Sequence, residues 1–192
     1  TELFCNYSDK IALNSKDMVR LAPSFGQGLQ MTNILKDIWD DYRNGNCWLP
    51  ADIFRKHGCE LAEMKEESNR EKFNSAIEEL VAITHGHLRN ALEYSLLIPP
   101  QESGVRKFLL WNVNMAISTI RNIHERPGYR SGEEVKISKA HLIKTILLTN
   151  AAIKSDHYLD KLFNYLGRGI PCHPIEDIFF EEAASFSSFQ TV

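Results

Sequence analysis

The sequence predicts an all-α domain, and three observations lead there. Apolar residues recur at three- and four-residue spacings along four long stretches, which is the period of a helix face. No stretch alternates apolar and polar residues as a half-buried strand does, and no internal repeat is present. The pairs Asn44-Gly45, Pro99-Pro100 and Pro127-Gly128 fall between the long stretches rather than inside them, as helix punctuation does.

Taken in order, the chain opens at Thr1 inside a helix-like apolar run with Leu3 and Phe4, and is expected to be a truncated or processed piece of a longer protein. The first long helix starts at Asn14 or Ser15, either of which can cap it. It carries Met18, Leu21, Phe25, Leu29, Ile34 and Ile38 at helical spacing and ends near Asn44-Gly45, with Pro23 marking a kink or a break. A short segment, Ala51–His57, is closed by Gly58. The charged stretch Glu60–Arg70 reads as a solvated loop with a short helix. The next helix, about Glu71 to Leu97, has a buried stripe of Phe73, Ile77, Leu80, Val81, Thr84, Leu88, Leu92 and Leu96. Another runs from about Val105 to His124. Val135-Lys136-Ile137 reads as an extended lead-in to a last helix, capped by Ser138 and running from Lys139 to about Ala152. From Asp156 the glycines and prolines between Gly167 and Pro174 predict irregular chain, with the apolar Ile178-Phe179-Phe180 cluster after it. The serine-rich tail from Ala183 to Val192 is expected to fray.

Composition narrows the class. The chain has 192 residues, 43% apolar and 24% charged, enough for one helical domain with a sizeable core. A net charge of −3 without a basic run gives no nucleic-acid surface. Cys5, Cys47, Cys59 and Cys172 form no C-x-x-C pair and read as reduced thiols of a cytoplasmic protein. No apolar run is long enough for a transmembrane anchor, which leaves peripheral membrane contact open.

The stretch that carries chemistry is Gln30–Pro50, QMTNILKDIWDDYRNGNCWLP. Gln30, Asn33, Asp37 and Asp41 fall within roughly 80° of one helix face. Two carboxylates and two amides therefore point one way, and hard oxygen donors of this kind suit magnesium held against phosphate oxygens. Acids near a helix C-terminus oppose the helix dipole. Asp37, Asp40 and Asp41 all sit there, with Lys36 and Arg43 as the nearby bases. That arrangement is unfavourable for stability alone and motivates a functional reading. Asp40 lies roughly 60° off the centre of the row and reads as a solvated acid rather than a ligand. Trp39 faces away from the row and reads as core. His85 and His87 point about 200° apart on their helix and read as surface or core histidines.

The same stretch resembles the second aspartate-rich motif of the squalene/phytoene synthase family: Gln30, Asn33, Ile34, Asp37, Asp41, the Gly45 turn and the Trp48-Leu49-Pro50 ending stand in the family's order. Two further stretches are similar to squalene synthases. One is Phe108 with Met115-Ala116-Ile117-Ser118-Thr119-Ile120; the other is Val135-Lys136-Ile137-Ser138-Lys139. The resemblance covers about Leu3 to Asn150. It implies an isoprenoid (terpenoid) synthase-type helical bundle and head-to-head condensation of two prenyl diphosphates through a cyclopropyl diphosphate, giving a squalene-, dehydrosqualene- or phytoene-like product. It implies Asp37 and Asp41 as ligands of Mg2+ (or Mn2+), with Asn33 and Gln30 supporting them. Lys36 and Arg43 then contact substrate, and Phe108, Leu109, Trp111, Met115 and Ile117 are candidates for a dry channel wall. Lys136 and Lys139 hold NADPH if the chain is squalene-type.

The chain departs from the pattern in three places. Lys36 and Asn46 stand where the family often has arginine, and no D-x-x-x-D lies before Leu29. The expectation is that this chain alone does not turn over substrate. Its uncovered apolar surface predicts a homodimer or helix exchange. The alternative is a non-catalytic helical homologue or assembly partner that binds prenyl lipid or a synthase subunit. A head-to-tail prenyltransferase or terpene cyclase does not normally couple the aspartate row to the W-L-P ending.

Overall fold

Residues 15–43 form one continuous helix, and its apolar spacing decides how the rest packs. The structure, a computed structural model, describes residues 1–175. The Ile178-Phe179-Phe180 cluster and the tail from Ala183 lie outside them. Among the described residues the elements are α1 (Glu2–Tyr7), α2 (Asp9–Ala12), α3 (Ser15–Arg43), α4 (Ala51–Lys56), α5 (Arg70–Leu96), α6 (Ser103–Glu125), α7 (Gly132–Val135), α8 (Lys139–Ala152) and α9 (Asp156–Leu166). Two short 3-10 turns, Leu61–Glu63 and Glu67–Asn69, lead into α5, and there is no strand among these residues.

The centre is three long helices. α3 and α5 run antiparallel: Phe25 meets Tyr94 at one end with ring centroids 5.2 Å apart, and Trp39 meets Phe73 at the other at 5.6 Å. α6 packs on both. Leu35, Ile38 and Trp39 from α3, Phe73, Ile77, Leu80 and Leu88 from α5, and Val113, Ile117 and Ile120 from α6 are buried in one cluster. A second cluster joins Ile11 of α2, Met18 and Leu21 of α3, Tyr94 of α5 and Leu109 of α6. α8 and α9 lie against α6, and α4 against α5.

Several local expectations need correction. Pro23 does not break α3, which is helical on both sides of it. Asn14 occupies the N-cap position of α3, but its amide donates to the Leu97 carbonyl at 2.8 Å instead of capping. Val135 is not extended: it ends the helical turn α7, and extended backbone follows at Lys136 and Ser138. The turn is held by Glu134, whose Oε1 accepts from the Ser131 hydroxyl at 3.2 Å and from the Arg130 N–H at 3.1 Å; the Ser131 side chain itself does not cap it. The chain from Asp156 is helical, not irregular. Ser155 caps α9, and Leu159, Phe163 and Leu166 bury its stripe. The glycines that predicted irregularity, Gly167 and Gly169, lie just past its end.

Arg106 is fully buried and ties three elements together. Its guanidinium donates to the Leu96 carbonyl at 3.1 Å and to the Ile98 carbonyl, orphaned acceptors at the end of α5. It also pairs with Asp156 at the start of α9. Removing a buried cation that satisfies such groups costs about 3–5 kcal/mol. Arg106→Ala is therefore expected to lower the urea-unfolding free energy by roughly that much. Asp156→Asn should cost under about 1 kcal/mol, since that carboxylate is 62% exposed. Equal costs would place the anchor in the ion pair rather than in the carbonyls.

His85 and His87 are both buried. His85 Nδ1 lies 3.1 Å from the Pro171 carbonyl, and His87 Nδ1 lies 3.1 Å from the Ser24 hydroxyl, which also accepts from Asn90 at 3.1 Å. Burial pushes both imidazoles below the usual histidine range. With the folded value below the unfolded one, the unfolded chain takes up protons that the native chain refuses. Stability is then full above about pH 6.5 and falls on acidification below it. Urea midpoints measured from pH 7.5 to pH 5 should fall in wild type and flatten in the His85→Gln/His87→Gln double variant.

Candidate functional site

The packing of α3 on α5 and α6 leaves one long face of α3 turned outward. Leu35, Ile38 and Trp39 point inward. Gln30 and Asn33 are exposed on the opposite side, and Asp37 and Asp41 follow on the same side half-buried. The structure thus brings the four polar residues into one row, each about a helical turn from the next. The side chains of Asp41 and Gln30 make no ion pair or hydrogen bond among the described residues. Lys36 lies along the row: its ammonium is 3.2 Å from Asp37 Oδ2 and donates to Asn33 Oδ1 at 3.5 Å. Arg43 is engaged beside the row instead, paired with Asp40 and donating to the Arg130 carbonyl at 3.5 Å.

Asp40 is not a free, solvated acid. Besides Arg43 it accepts the Gly132 N–H at 3.2 Å, which fastens α7 onto α3. Gly132 is needed for this approach, because a Cβ there would lie 2.9 Å from Asp37 Oδ1 and 3.1 Å from the Lys36 carbonyl. One oxygen of Asp37 therefore faces the α7 backbone, and the other faces Lys36. Tyr129, buried just before α7, donates its hydroxyl to the Leu35 carbonyl. Burial and the neighbouring Asp37 charge push that phenol well above the usual tyrosine range. Sequence reading missed Tyr129 and Gly132, since they stand more than ninety residues from their partners. The Pro127-Gly128 turn just upstream is the only local signal that the chain folds back there.

Lys136 is exposed and held by Glu133 at 2.8 Å. That hydrogen bond, with the charges of Glu133 and Asp37, raises its ammonium above the usual lysine range. Lys139 is exposed at the start of α8 and makes no ion pair among the described residues. The expected channel wall is only partly realised. Phe108 is 58% exposed and Met115 half-buried on one face of α6. Leu109 and Ile117 are buried in the two core clusters, because their positions on the helix turn them toward α3 and α5. Trp111 turns to α8, donating its indole N–H to Asn150 Oδ1 at 3.1 Å.

Among the described residues no group of three or more His, Cys, Asp or Glu side chains is close enough to hold a metal by itself. The row nonetheless fits magnesium of the kind shared with a ligand. Its donors are hard oxygens, the Asp41 carboxylate has no competing partner, and magnesium often takes one or two carboxylates with phosphate and water completing six. No helix among the described residues is long and apolar enough to cross a membrane.

The squalene/phytoene synthase family pattern matches residues 1–141. A squalene synthase of Cyberlindnera jadinii is 30% identical over 169 residues, 82% of this chain and 38% of that protein. A squalene synthase of Candida albicans is 30% identical over 193 aligned positions, 92% of this chain and 42% of that protein. A phytoene synthase of Thermus thermophilus is 36% identical over 55 residues, 29% of this chain and 19% of that protein. The chain thus spans about two fifths of the length of the first two relatives. No solved structure gives a significant match. The family pattern covers nearly three quarters of the sequence, Gln30–Pro50 included, and the described architecture is the all-α, isoprenoid-synthase type: the chain belongs to the squalene/phytoene synthase family.

Proposed function

We propose that the outward face of α3 is one half of a prenyl diphosphate site, working in the head-to-head condensation of two farnesyl- or geranylgeranyl-type diphosphates. The observation that carries this reading is the alignment of Gln30, Asn33, Asp37 and Asp41 on a single uncovered face, with Lys36 lying along it. Asp37 and Asp41 would hold magnesium (or manganese), and Gln30 and Asn33 would orient the same diphosphate. Bound magnesium supplies positive charge that makes a diphosphate a competent leaving group. Lys36 adds a cation on the same side, though as a point charge without the two-pronged grip of arginine. When diphosphate departs, the allylic cation must meet the second substrate's double bond in a dry space. Phe108 and Met115 would line it. Loss of a proton then closes the cyclopropyl diphosphate.

The reading extends to reduction of that intermediate through a nicotinamide dinucleotide held near Lys136 and Lys139. Lys139 fits this role as an unpaired cation. Lys136 must first leave Glu133. In a protein that completes the site, Lys136→Ala should lower reduction more than cyclopropyl formation, and equal losses would remove Lys136 from the cofactor.

One carboxylate row supplies half of a metal cluster, so the chain by itself should bind without turning over. Titration calorimetry with a farnesyl thiodiphosphate analogue should show magnesium-dependent binding. Asp37→Asn and Asp41→Asn should each weaken it at least about tenfold, the scale of one lost charge-assisted contact. Asp40→Asn should change binding little and instead loosen α7. Unchanged affinity in both row variants would overturn the reading. Incubation with radiolabelled farnesyl diphosphate should give no cyclopropyl or squalene-like product, and a product would refute the half-site view.

A further inference from the structure

A second charged hollow lies outside the aspartate row, between α6, α8 and α9. Its volume is about 270 Å3, and it shares no lining residue with Gln30, Asn33, Asp37 or Asp41. Arg121 and Glu125 enter it from α6, His141 and Lys144 from α8, and Tyr165 from α9, above an apolar floor that includes Leu148.

The charges there are lopsided. Arg121 donates through Nε to Glu125 at 2.7 Å, which leaves the terminal nitrogens of its guanidinium without a partner among the described residues. Lys144 makes no ion pair among those residues. Arg168, outside the lining residues, sits 4.5 Å over the Tyr165 ring and is a third cation nearby. Glu125 is the only acid lining the hollow among the described residues. His141 Nε2 is buried and has no hydrogen-bond partner among the described residues. Buried polar atoms are almost always satisfied, so an orphaned ring nitrogen beside two cations marks a place where a partner is missing. The electrostatics agree. Burial and the charges of Lys144 and Arg121 hold the His141 imidazole below its ordinary range. A hydrogen bond from Arg168, with the charges of Arg168, Lys144 and Arg121, holds the Tyr165 phenol below its own. In a chain of net charge −3, three cations gathered around one acid are stabilised by an anion.

We propose that this hollow is a binding site for a phosphate-bearing small molecule, held by Arg121 and Lys144 beside the His141 ring. An oxyanion with several acceptor oxygens is favoured over a simple halide, because a guanidinium, an ammonium, an imidazole and the Tyr165 hydroxyl converge from three helices. The volume exceeds that of one phosphate group, and the Leu148 floor suits an attached organic part. This site stands apart from the prenyl diphosphate reading: it needs no metal and no aspartate.

The test is titration calorimetry of the whole chain in EDTA, so that a metal-dependent row is silent. The probes are inorganic pyrophosphate and adenosine monophosphate. The expected result is saturable binding of at least one probe below about 5 mM, weakened at least about tenfold by Lys144→Ala and by Arg121→Gln and unchanged by Asp37→Asn/Asp41→Asn. Tighter binding of adenosine monophosphate would place an organic group on the Leu148 floor; tighter binding of pyrophosphate would make the ligand a bare diphosphate. Circular dichroism melts check that each variant folds. Independently of any variant, the His141 ring resonances of the wild-type chain should shift on titration with the same half-saturation. No saturable binding of either probe, binding that survives both cation substitutions, binding lost in the aspartate variant, or a silent His141 would each overturn the proposal.

Discussion

Gly28 brings α3 so close to α5 that a Cβ there would lie 3.0 Å from Leu88 Cδ2 and 3.2 Å from the His87 backbone. This contact fixes which way α3 faces. A helix has one angular setting at a given close approach, and rotating it by a few tens of degrees would drive larger side chains into the place that Gly28 occupies. Ser24 one turn earlier meets His87, and Trp39 three turns later meets Phe73, so the setting is held along the whole length. With the inner face committed to α5 and α6, residues 30, 33, 37 and 41 have nowhere to point but outward. The chemistry proposed for the row is thus a consequence of how the opposite face packs.

The C-terminal half of the row has a second constraint. Three acids at the end of a helix would ordinarily repel one another and oppose the helix dipole. Here they are divided among different tasks. Asp40 is taken up by Arg43 and the Gly132 N–H, and Asp37 has Lys36 on one side and the α7 backbone on the other. Asp41 keeps its carboxylate free of ion pairs and hydrogen bonds among the described residues. Arg130 stacks 4.9 Å over the Trp39 ring and holds the same returning segment against α3. The segment from Tyr129 to Lys136 therefore acts as a brace that fixes the aspartates, and it places Lys136 near enough for Asp37 to shift its titration.

Much of this was legible in the sequence where the signal is local and periodic. α3, α5, α6 and α8 follow from apolar spacing, and their ends were found to within about two residues. The polar row was legible for the same reason, since a four-residue spacing needs only helix geometry to be read. What failed was contact between distant segments. Asp40 looked solvated because its partner Gly132 is ninety-two residues away. Leu109 and Ile117 looked like channel wall because their stretch resembles one, yet a helix surrounded on several sides buries some of its apolar residues in each neighbour. α9 was missed because the breakers at Gly167–Pro174 colour the composition of the whole segment, although the Leu159, Phe163 and Leu166 spacing was there to be read.

The account rests on metal and diphosphate meeting the outward face of α3. Paramagnetic broadening tests this most directly. Manganese added with inorganic pyrophosphate to the isotopically labelled chain should broaden the side-chain amide resonances of Asn33 and Gln30 and the backbone signals between them and Asp41. Broadening centred instead on the acid-rich stretch Glu60–Glu67, with the Asn33 and Gln30 amides unaffected, would contradict it.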